Sequence, residues 1–132
     1  IMVVDGSGKP FRFDGTTFSQ LSSLPSDTSG ASHITNYKNH VFLGNGTKLV
    51  FSAPYEDDDF TAASGGGIIN VAGTITGLVG GEYATILMEK AIVRASYVGT
   101  PLIYQIDKVE TARGCTFSGS VAHIGNLIFF LK

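Results

Sequence analysis

The sequence predicts an all-β fold, and three observations carry this prediction. The chain has 17 glycines but only four prolines in 132 residues, which indicates many turns rather than long helices. Its apolar runs are rich in Val, Ile, Thr, Phe and Tyr, the residues that favour strands. Residues 33–54 place Asn45-Gly46 between two strand-like runs, a pattern typical of a β-hairpin with a type I′ turn.

The N-terminal segment has the pattern of a meander of short strands. Residues 2–21 contain a Gly-Ser-Gly turn and then an Asp14-Gly15 turn, each with strand-like sequence on both sides. Residues 22–32 are rich in Ser, Pro and Gly and have no periodicity, so we expect a surface loop there. The central hairpin follows and ends at Pro54.

The segment at residues 83–97 is ambiguous on propensity, because Ala, Met, Glu and Lys also favour helices. The internal repeat described below favours a hairpin, YATILM and AIVRASY, that turns at Glu89-Lys90. Downstream, Leu102, Tyr104 and Ile106 recur with the period of two that is typical of a strand. We therefore predict strands near residues 39–43, 48–52, 83–88, 91–96, 102–107 and 126–131.

Three short runs form an internal repeat. NHVFL, YATIL and LIFFL end in Leu43, Leu87 and Leu131, which lie 44 residues apart, and LVF at 49–51 precedes IVR at 92–94 by 43 residues. A period of about 40–50 residues with about four short strands per unit is the signature of a β-propeller. We predict a partial propeller of short antiparallel blades, with about three units of about 44 residues. The three leucines are expected at equivalent inward positions.

The repeat divides the chain into units at residues 1–32, 33–74, 75–119 and 120–132, of which the last is incomplete. A propeller usually closes with about 4–8 blades. The chain also begins with Ile1 rather than methionine. We therefore expect residues 1–132 to be a single all-β fragment of a longer chain.

Composition argues against several classes of protein. The net charge of −2 argues against a general nucleic-acid or membrane-surface binder, since both usually need a basic face. No apolar run reaches the roughly 18 residues of a membrane span, and no signal-peptide pattern is visible. Cys115 is the sole cysteine, so we expect a buried small hydrophobe and assembly in a reducing cytoplasm.

Two loop motifs contain residue types that can bind ligands. The acidic run at residues 56–59 could supply oxygen ligands to calcium, but it lacks the D-x-D-x-D-G spacing, and we expect a solvated turn. The triple glycine at residues 65–67 has no GKS or GKT sequence and no helix pattern after it. It is expected to allow close packing or a turn.

The candidate catalytic and metal-binding residue types have no motif spacing. His33, His40 and His123 lack the HxxxH spacing of a helical metal site, so we expect half-exposed strand residues. Ser118-Gly119-Ser120 lies outside any GxSxG motif and is predicted to form a turn. We predict no catalytic, cofactor-binding or metal-binding residue, although paired carboxylates on propeller loops stay open.

Four runs carry a resemblance to a known family: PFRFDGTTFSQLSS, KNHVFLGNGTKLVFSAPYEDDDF, ITGLVGGEYATILMEKAIVRAS and GCTFSGSVAHIGNLIFFL. Across residues 11–131 they resemble tailed-phage virion proteins. The chain looks most like the propeller-bearing tail tubes, nozzles and stabilisation hubs of short-tailed phages, of the tail tubular protein B type. Those proteins are several times longer than this chain.

The resemblance implies a structural, non-enzymatic role without a cofactor. It implies a ring-shaped homo-oligomer that contacts other tail proteins in the virion, after assembly in the host bacterial cytoplasm. DNA would pass through the channel without sequence-specific binding, and no membrane is implied. The mild acidity fits such a lumen, since a strongly basic surface would hold the phosphates.

Three alternatives stay open at this level. A receptor- or glycan-binding phage adhesin would have exposed aromatic and acidic residues converging on one face. A glycan-cleaving enzyme on the same fold needs two carboxylates about 5–9 Å apart. The third alternative is a non-phage bacterial β-sandwich of unknown role.

Overall fold

The structure is a computed structural model that describes residues 1–99 and 103–132. Within these residues the regular elements are β-strands and three one-turn 3₁₀ helices, at Ser26–Thr28, Ala62–Ser64 and Ser118–Ser120. The protein is therefore all-β, and the predicted fold class is confirmed at that level.

The strands form four antiparallel sheets in which neighbours in sequence are neighbours in space. We number the sheets in chain order. Sheet 1 has β1 (Met2–Val3), β2 (Phe11–Phe13) and β3 (Phe18–Gln20); sheet 2 has β4 (His33–Tyr37), β5 (His40–Asn45), β6 (Lys48–Phe51) and β7 (Gly67–Asn70); sheet 3 has β8 (Ile75–Val79), β9 (Ala84–Met88), β10 (Ile92–Tyr97) and β11 (Tyr104–Glu110); sheet 4 has β12 (Ala122–Ile124) and β13 (Leu127–Phe129).

The hairpin predicted at residues 83–97 is confirmed. Strands β9 and β10 pair from Leu87 with Ile92 to Ala84 with Ala95, and the chain reverses at Glu89-Lys90. Cross-strand packing here overrides the helix propensity of individual residues. The strand predicted at 102–107 corresponds to β11, whereas Leu102 lies outside the described residues.

The central hairpin is confirmed, but its predicted turn is wrong by one residue. Asn45 still pairs with Lys48, so the two-residue loop is Gly46-Thr47, with Gly46 at φ +59°. The Asn45 side-chain amide donates to the carbonyls of Asp27 and Ser29, both at 2.8 Å. Asn45 therefore serves as an anchor to the preceding loop, a role that its turn propensity does not predict.

The largest apolar cluster lies between sheets 2 and 3. Phe42, Leu49 and Phe51 of sheet 2 pack in one cluster with Ile86 and Met88 of sheet 3. All of them are less than 5% exposed. We call this contact the central interface.

Two further clusters extend the arrangement on either side. Leu43 and Val50, on the other face of sheet 2, pack with Met2 of sheet 1. Leu87, on the other face of sheet 3, packs with Cys115 and with Ile128 of sheet 4. The four sheets are therefore stacked in chain order, and the prediction of a buried Cys115 is confirmed.

The predicted equivalence of the three leucines is wrong. Leu43 faces sheet 1, whereas Leu87 faces sheet 4, so they point in opposite directions along the stack. Leu131 lies beyond β13 and is 63% exposed. Side chains alternate between the faces of a strand, so a shift of one residue reverses the facing.

Residues that lie 43 apart in sheets 2 and 3, in contrast, point in the same direction along the stack. Val50 faces sheet 1 and Val93 faces sheet 2, so both point towards the preceding sheet. Leu49 and Ile92 both point towards the following sheet. In their third strands, β6 and β10, sheets 2 and 3 therefore repeat with a period of 43 residues.

Candidate functional site

The turn between β4 and β5 is a tight two-residue loop that the sequence analysis missed. Tyr37 pairs with His40, and Lys38 and Asn39 lie between them with φ values of +48° and +64°. Positive φ at both central residues defines a type I′ turn. Asn39 was the available signal, since asparagine tolerates this conformation better than most residues.

Tyr55 lies beside this turn in an unusual conformation. Its φ is +65°, its side chain is 83% exposed, and its backbone N–H donates to the Asn39 carbonyl at 2.8 Å. A bulky residue at positive φ costs about 1–3 kcal/mol and persists only where the surroundings enforce it. The hydrogen bond to Asn39 is one such constraint.

These residues border an open cavity of about 790 Å³, which we call the turn cavity. Its walls come from the Lys38-Asn39 turn, from Tyr55 and the acidic residues after it, and from Gly80-Gly81 of the next sheet. In the described part of the chain, the non-glycine residues with positive φ are Lys38, Asn39 and Tyr55, and all three line this cavity. Backbone strain of this kind clusters at functional sites.

Glu56 and Asp57 of the acidic run line the turn cavity. Glu56 and Asp58 are exposed, as the predicted solvated turn requires, whereas Asp57 and Asp59 are half-buried. No sequence motif predicts the partner of this run, Arg12 of sheet 1. The Arg12 guanidinium forms an ion pair with Asp57 and lies 3.3 Å from Asp58. Asp59 instead accepts hydrogen bonds from the backbone and hydroxyl of Thr61. Across residues 1–99 and 103–132, no cluster of three His, Cys, Asp or Glu side chains is arranged to hold a metal ion.

His40 lies below the turn and is 3% exposed, so its predicted half-exposure is wrong. Its Nδ1 donates to the Ser52 carbonyl at 2.5 Å, and its ring packs edge-on against Phe51 and Tyr104. This hydrogen bond pairs the Nδ1 of a ring that lies in an aromatic core. His33 is half-buried, as predicted, whereas His123 is exposed.

Tyr104 completes the aromatic cluster below the cavity. It is 2% exposed, and its hydroxyl has no hydrogen-bond partner among the described residues. Burial raises the pKa of Tyr104 well above its usual value, and the nearby Tyr37 and Tyr97 raise it further. The phenol therefore stays neutral and acts as a packing group.

The remaining sequence motifs have structural roles. A Cβ on Gly66 would lie 2.7 Å from the backbone of Phe60, which confirms the predicted close packing at the triple glycine. Residues Ser118–Ser120 form a 3₁₀ turn, as predicted. The Ser120 hydroxyl donates to the Phe117 carbonyl at 2.6 Å and accepts from the Leu131 N–H at 2.9 Å.

A second, smaller cavity of about 120 Å³ lies between the β8–β9 turn and the Gly125-Asn126 turn of sheet 4. The Arg94 guanidinium covers the Tyr83 ring at 4.7 Å from its centroid. The aromatic side chain here is therefore partnered within the chain, unlike the exposed Tyr55 of the turn cavity.

Comparison of the chain with protein-family models, curated proteins and solved structures finds no match. In the described residues, no helix is long and apolar enough to cross a membrane.

Proposed function

We propose that the chain is a structural component of a phage tail, in which its stacked sheets are blades of a propeller. The propeller would belong to the tail tube, nozzle or hub and would line or close the DNA-exit channel. The observation that carries the proposal is the stack of four antiparallel sheets, which continues in chain order and leaves apolar faces uncovered at both ends.

The relation between sheets 2 and 3 supports a propeller. Both sheets have four strands in sequential order, and residues 43 apart face the same way along the stack. Their first strands also approach closely, since the Gly80 N–H just after β8 donates to the Thr35 hydroxyl of β4 at 3.0 Å. Radial repetition of four-stranded sheets is the arrangement of propeller blades.

The outer faces of the stack support assembly with further protein. Apolar side chains on the outward face of sheet 1 and on sheet 4 are 37–76% exposed: Val3, Phe13, Phe18, Ile124, Leu127 and Phe129. Contiguous exposed apolar patches mark interaction sites on soluble proteins. We infer that these faces are covered by further blades, by other copies in a ring-shaped homo-oligomer, or by other tail proteins.

The test is to locate the chain in purified phage particles. An antibody raised against residues 1–132 should label the tail in electron micrographs, and mass spectrometry of isolated tails should detect the chain in multiple copies. An antibody against a capsid protein of the same particle is the control. Absence from the tail, or labelling of the capsid alone, would refute the structural proposal.

A second candidate, a receptor- or glycan-binding phage adhesin, is favoured by one observation. Tyr55 and Glu56, an exposed aromatic and an exposed acidic residue next to each other in the sequence, both line the turn cavity. An adhesin must bind a receptor or glycan on the host surface, whereas a structural component of the tail wall needs only to assemble with other tail proteins.

A further inference from the structure

We propose that the turn cavity binds a short, electrically neutral saccharide. The proposal depends on this cavity alone and holds for a tail-wall protein as well as for an adhesin. Its volume of about 790 Å³ lies within the range of about 300–1,000 Å³ that is usual for small-molecule sites.

The charges at the cavity favour a neutral ligand. Lys38 and Glu56 bring opposite charges to its walls, and Asp57 is ion-paired with Arg12. A polyanion would meet these carboxylates without a basic surface to hold its phosphates or carboxylates. A bound cation would need a cluster of oxygen ligands, and the described residues contain no such cluster.

The polar groups at the cavity match a hydroxyl-rich ligand. Asn36 and Asn39 both line it, and each side-chain amide supplies donors and an acceptor. Neighbouring hydroxyls of a sugar can donate to and accept from the same amide. Tyr55 adds an exposed aromatic face on which the apolar C–H side of a sugar ring can rest, and a hydroxyl at its tip.

The conformation of Tyr55 has a cost in stability that a purely structural turn would not need. Glycine adopts φ near +65° without strain, and would serve a purely structural turn better than tyrosine. Tyr55 is 83% exposed, so packing of its side chain does not compensate the strain within this chain. A role in ligand binding explains why a tyrosine occupies this position.

The decisive variant is Tyr55→Gly, because we expect it to lower the affinity for saccharide without lowering the stability of the fold. The melting temperature should stay equal or rise, since glycine relieves the positive φ. Saccharide affinity should fall at least tenfold, since the aromatic face is lost.

Asn39→Gly keeps the turn conformation and removes the amide, so it should also lower affinity without lowering stability. Phe117→Ala removes an aromatic side chain that is 57% exposed and outside the cavity, so it is the matched control.

The probes are maltose, cellobiose, N,N′-diacetylchitobiose, mannotriose and galactotriose, with trigalacturonate as a charged comparison. Saturation-transfer NMR identifies binders to the full 132-residue chain, and titration gives their dissociation constants. We expect at least one neutral probe to bind, and Phe117→Ala to leave that affinity unchanged.

The proposal is overturned if no neutral probe binds at about 10 mM, which corresponds to very weak affinity. Equal or tighter binding of trigalacturonate, or full affinity in both Tyr55→Gly and Asn39→Gly, would also overturn it. These outcomes leave the location of the chain in the phage tail untouched, so the two proposals fail independently.

Discussion

The central interface and the outer faces of the stack use the same kinds of side chain in different surroundings. Phe42 of the central interface is fully buried and packs against aromatic rings from both sheets. Phe18 of sheet 1 also lies in a short antiparallel strand, yet it is 57% exposed and stacks only on Phe11. The alternation along a strand determines which side chains share a face of the sheet. Whether a neighbouring sheet covers that face determines how much those side chains stabilise the fold.

The largest difference is expected between Phe42→Ala and Phe18→Ala. Phe42→Ala opens a cavity in the central interface and should lower the free energy of unfolding by about 3–5 kcal/mol. Phe18→Ala removes a largely exposed ring that stacks on Phe11, so it should cost at most about 1.5 kcal/mol. Urea denaturation followed by circular dichroism measures both. Similar losses in the two variants would contradict the distinction between interface and outer face.

A neighbouring pair of glycines tests how closely sheets 2 and 3 approach. A Cβ on Gly80 would lie 2.0 Å from the Asn36 carbonyl oxygen, whereas a Cβ on Gly81 meets nothing within 4 Å. Gly80→Ala should therefore cost about 1–3 kcal/mol of stability, or more, because the contacted atom belongs to the backbone. Gly81→Ala is the matched control and should cost no packing energy. Equal stability of the two variants would show that the sheets separate without cost.

The sequence predicted the positions of the strands better than it predicted how the sheets pack against one another. The Asn45-Gly46 signal located the hairpin at 33–54, because turn chemistry is local. The hairpin at 83–97 was predicted from the internal repeat, since its residues also favour a helix. The 44-residue alignment of Leu43 with Leu87 failed, because the facing of a strand reverses with a shift of one residue. Burial of His40 depends on the Ser52 carbonyl and on rings from sheet 3, and the pairing of Asp57 with Arg12 joins distant segments. Such contacts exist only after the sheets stack.

The pH dependence of stability should distinguish His33, beside the central interface, from the exposed His123. Burial lowers the pKa of His33 below its usual 6.5, and a backbone hydrogen bond with Thr76 of sheet 3 partly offsets this. The unfolded chain therefore takes up the proton first, so His33 contributes stability above pH 6.5 that is lost as the pH falls through its lower folded pKa.

The measurement is the free energy of unfolding of three proteins between about pH 7.5 and pH 5. His33→Gln should flatten the decline seen in the unmodified chain, and His123→Gln should leave the decline unchanged. A decline that is as steep in His33→Gln as in the unmodified chain would contradict the assignment to His33. The lowered pKa values of Asp5, Asp14 and Glu110, caused chiefly by backbone hydrogen bonds, affect stability only at lower pH.

The smallest effect is expected where the central interface buries a hydroxyl without a partner. The Tyr104 hydroxyl has no partner among the described residues, so Tyr104→Phe removes an unsatisfied polar atom and keeps the ring. The free energy of unfolding of Tyr104→Phe should change by less than about 0.5 kcal/mol or increase slightly.

Thr76→Val is the matched contrast in sheet 3, because the buried Thr76 hydroxyl donates to the Cys115 carbonyl at 2.7 Å. Losing that bond should cost about 1 kcal/mol or more, since the carbonyl is left buried and unpaired. A loss in Tyr104→Phe that equals the loss in Thr76→Val would mean that the phenol is hydrogen-bonded in solution. The central interface would then be held by a polar contact as well as by apolar packing.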